Sequence, residues 1–155
     1  MKWIIRIGSH VVAGGIGFAL GIYLLPILIA PESPGEQEVR SVADTARYTA
    51  EFRRDLQDSD ALHWGEGALF IGPDSIVLEG SLAPGPDYRL YLSPEFVETE
   101  AAFLALKSEM VEVGPVRTFE NFMVPIPDSV DPAAFSAAIV WCESFNQFIT
   151  AAAYR

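Results

Sequence analysis

The chain has 155 residues, 50% of them hydrophobic and 20% charged, with a net charge of −11. That length gives room for one ordinary domain, and the apolar content is too high for a chain disordered throughout. All 21 acidic residues follow Ala30, where only 8 basic residues oppose them and leave a balance of −13; no basic stripe exists to neutralise a phosphate backbone, which excludes nucleic-acid binding.

Residues 8–30, GSHVVAGGIGFALGIYLLPILIA, form an uncharged run of 23. At about 1.5 Å per residue a helix of that length crosses a hydrocarbon core of roughly 30 Å with some tilt. A cleaved signal peptide has a shorter apolar region, and Pro31 directly after Ala30 argues against cleavage. Lys2 and Arg6 on the short flank predict a cytoplasmic N-terminus, residues 1–7, and an exported remainder, periplasmic in a bacterium. Gly17 and Gly21 stand four apart, the spacing at which two membrane helices approach closely, so a homodimer through this face is one expectation and ordinary membrane-helix glycine the other. The same glycines lack the preceding strand and following amphipathic helix of a dinucleotide loop.

Residues 31–38, with PESPGE at their start, read as a linker. From Val39 to Leu56 there is no Gly or Pro, and Val42, Ala46, Tyr48, Phe52 and Leu56 recur at roughly helical spacing; this predicts a helical stalk over residues 39–61. From Leu62 the texture changes to short runs rich in Val, Ile, Phe and Tyr between frequent glycines and prolines, the pattern of an all-β sandwich or barrel over residues 62–155. The expected strands are HWGEGALFI, SIVLEG, DYRLYLS, MVEVGPVR, FMVPI, FSAAIVWCE and NQFITAAAY, with EFVETEAAFLALKS as a helix covering one end of the sandwich.

Chemistry-bearing motifs are few. No G-x-S-x-G elbow, phosphate loop or paired-cysteine zinc pattern occurs. Asp55, Asp58, Asp60 and Glu66 lack the glycine and terminal glutamate of an EF-hand loop and read as a solvated acidic loop. Gly85-Pro86-Asp87 reads as a turn, proline presetting φ and aspartate hydrogen-bonding the backbone.

Three stretches, in this order, resemble the DM-thirteen domain, a small all-β module found beside DOMON domains and in membrane-anchored bacterial proteins. They are GEGALFI with Gly65 and Gly67, VLEGSLAPGPDYRLYLSP with the Gly85-Pro86-Asp87 turn, and VPIPDSVDPAAFSAAIVWCESFNQFITAAAY with the Trp141-Cys142 pair. Residues 95–110 and the glycine-free TFENFM depart from the family pattern. The resemblance implies a redox or electron-transfer accessory role centred on Cys142, with an envelope or redox protein as partner.

Cys142 is the only cysteine. Strand alternation places Phe135, Ala137, Ile139 and Trp141 on one face and Ala138, Val140 and Cys142 on the other, both apolar, so the strand is expected to be buried on both sides. A lone thiol in an exported domain is a buried packing group, a bridge between chains, or a ligand or redox centre. Reactivity needs a cation, helix N-terminus or metal beside the thiolate, and the neighbouring Glu143 acts the other way. A haem or copper ligand at Cys142 would have His63 as the only histidine in the exported part to assist it, and there is no C-x-x-C-H attachment site. The second function expected is therefore a non-enzymatic binding or envelope-interaction module with Cys142 in the core.

Overall fold

The computed structural model describes residues 2–155. Its first element, α1 (Lys2–Ile29), is long and apolar enough to cross a membrane, and none of its residues is buried in the protein. A short helix, α2 (Glu36–Ala43), follows, its start capped by the Glu38 carboxylate accepting the Gly35 N–H at 2.9 Å. Val39 is its buried residue, and the helix packs against β2 and β3 of the first sheet.

Eight antiparallel strands make two four-stranded sheets: β1 (Tyr48–Phe52), β2 (Gly65–Ile71), β3 (Ser75–Leu82), β4 (Tyr88–Ser93), β5 (Val111–Val116), β6 (Glu120–Pro125), β7 (Ala137–Cys142) and β8 (Gln147–Ala153). The sheet orders are β1-β2-β3-β6 and β5-β4-β7-β8. The main core lies between them, joining Leu69, Ile71, Ile76 and Leu78 of the first sheet to Leu90, Leu92, Val140 and Ile149 of the second. The expected all-β class and all seven expected strands are present.

The expected stalk helix is not. Helix α2 stops at Ala43, where the Thr45 hydroxyl donates to the Ser41 and Val42 carbonyls, and Tyr48–Phe52 forms β1 against β2. Tyr48, Ala50 and Phe52 pack on the core with Thr49 and Glu51 exposed between them, so period two overrides the weak helical spacing.

Two placements near β7 also differ from expectation. Helix α3 (Glu100–Leu106), capped by Thr99 Oγ1 accepting the Ala102 N–H, does not close an end of the sandwich; Phe103 is fully buried in a second core on the outer face of the second sheet, with Tyr91, Ile139, Trp141, Phe148 and Ala151. Phe135 packs on the main core and not on the Trp141 side, because the 3₁₀ turn Pro132–Ala134 ends there and the strand's alternation begins only at Ala137.

Candidate functional site

Every residue of β7 is buried, and its last, Cys142, pairs with Tyr88, the first of β4. The chain entering β4 is the Gly85-Pro86-Asp87 turn, with Asp87 at φ 52, a left-handed conformation aspartate tolerates. This turn is docked onto the end of β7. The Cys142 thiol donates to the Pro86 carbonyl at 3.0 Å, the Glu143 N–H donates to the Asp87 carbonyl at 3.1 Å, and the Ser144 hydroxyl donates to the Asp87 carboxylate at 3.2 Å. Arg89 completes the corner, its guanidinium 3.0 Å from Asp87 and 3.1 Å from Glu112.

Cys142 is 2% exposed. Burial pushes its thiol pKa up, the Asp87 and Glu143 charges push the same way, and the backbone N–H groups of Phe145 and Ser144 only partly oppose them. A thiol so placed stays protonated at neutral pH, and as a donor to Pro86 it has a structural use for its proton.

Between this corner and Ala19, Ile22 and Tyr23 of α1 is a cavity of about 320 Å³, at the small end of the range for ligand pockets. Tyr88, Cys142 and Ile149, all nearly fully buried, line its inner part; Leu62 and Phe145, both more than half exposed, border it outside. His63 lines it too. Asp60 fixes that histidine: one carboxylate oxygen accepts the Leu62 and His63 N–H groups at 2.7 and 2.8 Å, and the other lies 3.0 Å from Nδ1. A carboxylate only accepts, so the Nδ1–H donates to it. The hydrogen bonds from His63 and Leu62 hold the Asp60 carboxyl below its usual range.

On the opposite face of β7, Trp141 is fully buried and stacks on Phe103 with ring centroids 3.9 Å apart, and Tyr91 meets Phe103 edge-on at 5.3 Å. The Tyr91 hydroxyl donates to Glu143 at 2.5 Å, and Lys107 Nζ lies 2.8 Å from both Glu143 oxygens, tying the end of α3 to the sheet. Burial alone would raise the Glu143 carboxyl; Lys107 and Tyr91 overcome it and leave the pKa below the usual value. Among the described residues the Trp141 indole N–H has no hydrogen-bond partner.

A family model described as electron transfer DM13 matches residues 51–154. The chain belongs to the DM13 family. No curated protein and no solved structure matches it. The DM13 match begins inside β1, in agreement with the position of that strand in the sheet and ahead of residue 62, where the composition changes.

Within the DM13 domain the structure brings Cys142 and His63 to one cavity and separates both from Trp141, which points through the other face of the sheet into the Phe103 core. Gly65 and Gly67 lie apart, in β2. A Cβ on Gly65 would press on the Thr150 and Leu82 side chains, and one on Gly67, at φ 120, would run into the Glu79 backbone. Asp55, Asp58, Asp60 and Glu66 do not converge either: Asp58 accepts the Glu100 N–H and Glu66 pairs with Arg54. Among the described residues no group of three or more His, Cys, Asp or Glu side chains is placed to hold a metal ion. A haem iron or copper at Cys142 would have only His63 and the Tyr88 phenol, whose pKa burial raises, beside it and would have to displace a proton held by Pro86, so these residues do not fit a metal centre. Sequence reasoning missed Tyr88 and placed Asp60 only in a solvated acidic loop. The Asx turn was legible in type, since an aspartate side chain readily accepts the N–H two residues on, here that of Leu62.

Proposed function

We propose that this DM13 chain is a membrane-anchored binding module, its β domain held outside the cytoplasm by α1, with Cys142 serving as a neutral, packed thiol in the wall of a ligand cavity. The observation that carries this reading is the Cys142 thiol itself: 2% exposed, donating to the Pro86 carbonyl, and with its pKa raised. A nucleophilic or redox thiol needs the reverse, a cation or N–H cluster that stabilises the thiolate. Anchorage is supported by the length and apolar character of α1, and the orientation by Lys2 and Arg6 on its short flank.

A second reading, an electron-transfer accessory working through Cys142, is favoured by the family's description and by the position of Cys142 on a cavity wall, within reach of a small partner molecule. The pH dependence of alkylation separates the two. For the full chain in detergent, iodoacetamide modification of Cys142 is expected to be slow at pH 7 and to rise only above the pH at which an ordinary cysteine ionises. A rate already on its plateau at pH 7 would reveal a stabilised thiolate and favour the redox reading.

A further inference from the structure

Strand register gathers four loops at one end of the sandwich. Strands β1, β3, β5 and β7 end there and β2, β4, β6 and β8 begin there, with Phe52 opposite Gly67, Gly65 opposite Leu82, Ser81 opposite Glu120, Tyr88 opposite both Val116 and Cys142, and Cys142 opposite Gln147. The chain arrives from α1 at this same end. Ala30 and Pro31 lie beside the Gly85-Pro86-Asp87 turn and the 116–119 segment, and the Pro34 carbonyl accepts from the Asn121 side-chain amide at 3.4 Å. Helix α2 is fixed directly afterwards through buried Val39. Only residues 30–33 are therefore unanchored between α1 and the domain, and four residues reach at most about 14 Å.

Apolar side chains project from this end. Among the described residues beyond α1, four large hydrophobic side chains are exposed, and the two most exposed, Leu62 at 57% and Phe145 at 55%, stand in the β1–β2 and β7–β8 loops. They keep that exposure with Ile22 and Tyr23 of α1 beside them, so it does not depend on moving the helix. Half-buried Pro84 and Pro86 add apolar surface in the β3–β4 loop. The carboxylates next to these loops are engaged locally: Asp60 is bonded to His63, Asp87 is paired with Arg89, and Glu143 with Lys107. Arg117, beside Ala30 and Pro31, is exposed and among the described residues forms no ion pair. Apolar tips together with an unpaired guanidinium near the end of α1 match the interfacial layer of a phospholipid bilayer, where large apolar side chains enter the acyl boundary and arginine meets phosphate.

We propose that this end of the domain docks on the bilayer that holds α1, with Leu62 and Phe145 inserted at the boundary between headgroups and acyl chains and Arg117 on lipid phosphate. The proposal rests on the anchorage by α1 given above and adds an interaction surface to it. Docking of this kind fixes the domain's orientation and leaves the β2–β3 turn, at Pro73 and Asp74, at the opposite end in water.

The test places one nitroxide at a time on the full chain in phosphatidylcholine nanodiscs, in a Cys142→Ser background whose hydroxyl can still donate to Pro86. The labelled variants are Leu62→Cys and Phe145→Cys at the docking end, Asp74→Cys at the far end and Phe18→Cys within α1, all at exposed positions. Power-saturation electron paramagnetic resonance compares collisions with oxygen, which concentrates in hydrocarbon, and with a nickel chelate, which stays in water. The oxygen-to-nickel ratio at positions 62 and 145 is expected to be severalfold that at position 74. Adding Phe145→Glu, which sets a charge at the boundary, is expected to lower the ratio at position 62 severalfold. Ratios at 62 and 145 equal to that at 74, with the label at 18 in hydrocarbon, overturn the docking and leave the anchorage standing. A label at 18 that is in water overturns the anchorage as well. Protection of 62 and 145 from both reagents also overturns the proposal, since a second copy or α1 itself would then cover this end.

Discussion

Truncating Phe103 to alanine tests how the outer face of the second sheet is held. The ring is fully buried, stacked on Trp141 at 3.9 Å and edge-on to Tyr91 at 5.3 Å, and is the only buried side chain of α3. Phe→Ala at such a site costs about 3–5 kcal/mol through lost transfer energy and the cavity left behind. With a urea dependence of about 2 kcal/mol per molar, the unfolding midpoint should fall by roughly 2 M. The assay is urea unfolding of the full chain in detergent, followed by circular dichroism, which reads variants with and without Trp141 alike. A cycle with Trp141→Leu should give a coupling of about 0.5–1.5 kcal/mol, the increment of an aromatic pair beyond its area. A loss below about 1 kcal/mol, or strict additivity in the cycle, would refute the stacking argument and leave α3 as a loosely attached cover.

Two further outcomes follow from the geometry. Glu143 has its carboxyl held below the usual 4.5, so the stability it contributes is complete above that pH and is lost as the pH falls through the folded value. Lys107→Met should reduce stability at pH 7 by about 1 kcal/mol or less, given the partial exposure of both groups, and should flatten the acid limb of urea midpoints measured from pH 7 to 3; identical limbs would remove Lys107 as the cause. Gly67→Ala should cost more than Gly65→Ala, by about 1–3 kcal/mol, because the former forces a side chain into a positive-φ conformation against the Glu79 backbone and the latter meets only side chains. Equal urea midpoints for the two variants would contradict this.

What could be read from the sequence was whatever leaves a local signature. The alternation in FSAAIVWCE fixed Cys142 and Trp141 on opposite faces, and each lies in its own core cluster. The acidic neighbour Glu143 forecast the direction of the Cys142 shift, although burial is the larger cause. The apolar run ending at Ala30 identified α1 by length alone. Non-local contacts were invisible. Strand β1 was hidden because five residues with period two sit inside a stretch free of glycine and proline, and only pairing with β2 decides between helix and strand. The cavity joins residues 19–23, 62–63, 84–88 and 142–149, which nothing in the chain order brings together. Tyr88 drew no attention because a tyrosine opening a strand is ordinary; its place opposite Cys142 on the cavity wall becomes visible only in three dimensions.

The central claim is that Cys142 is a sequestered, neutral thiol in the wall of a binding cavity. Its most direct test is a thiol count on the full chain purified without reductant, made with a chromogenic disulfide reagent before and after unfolding in guanidinium. The account predicts almost no thiol in the folded protein within minutes and one thiol per chain once it is unfolded. One thiol titrating at once in the folded state would contradict it and return Cys142 to the role of a working redox group.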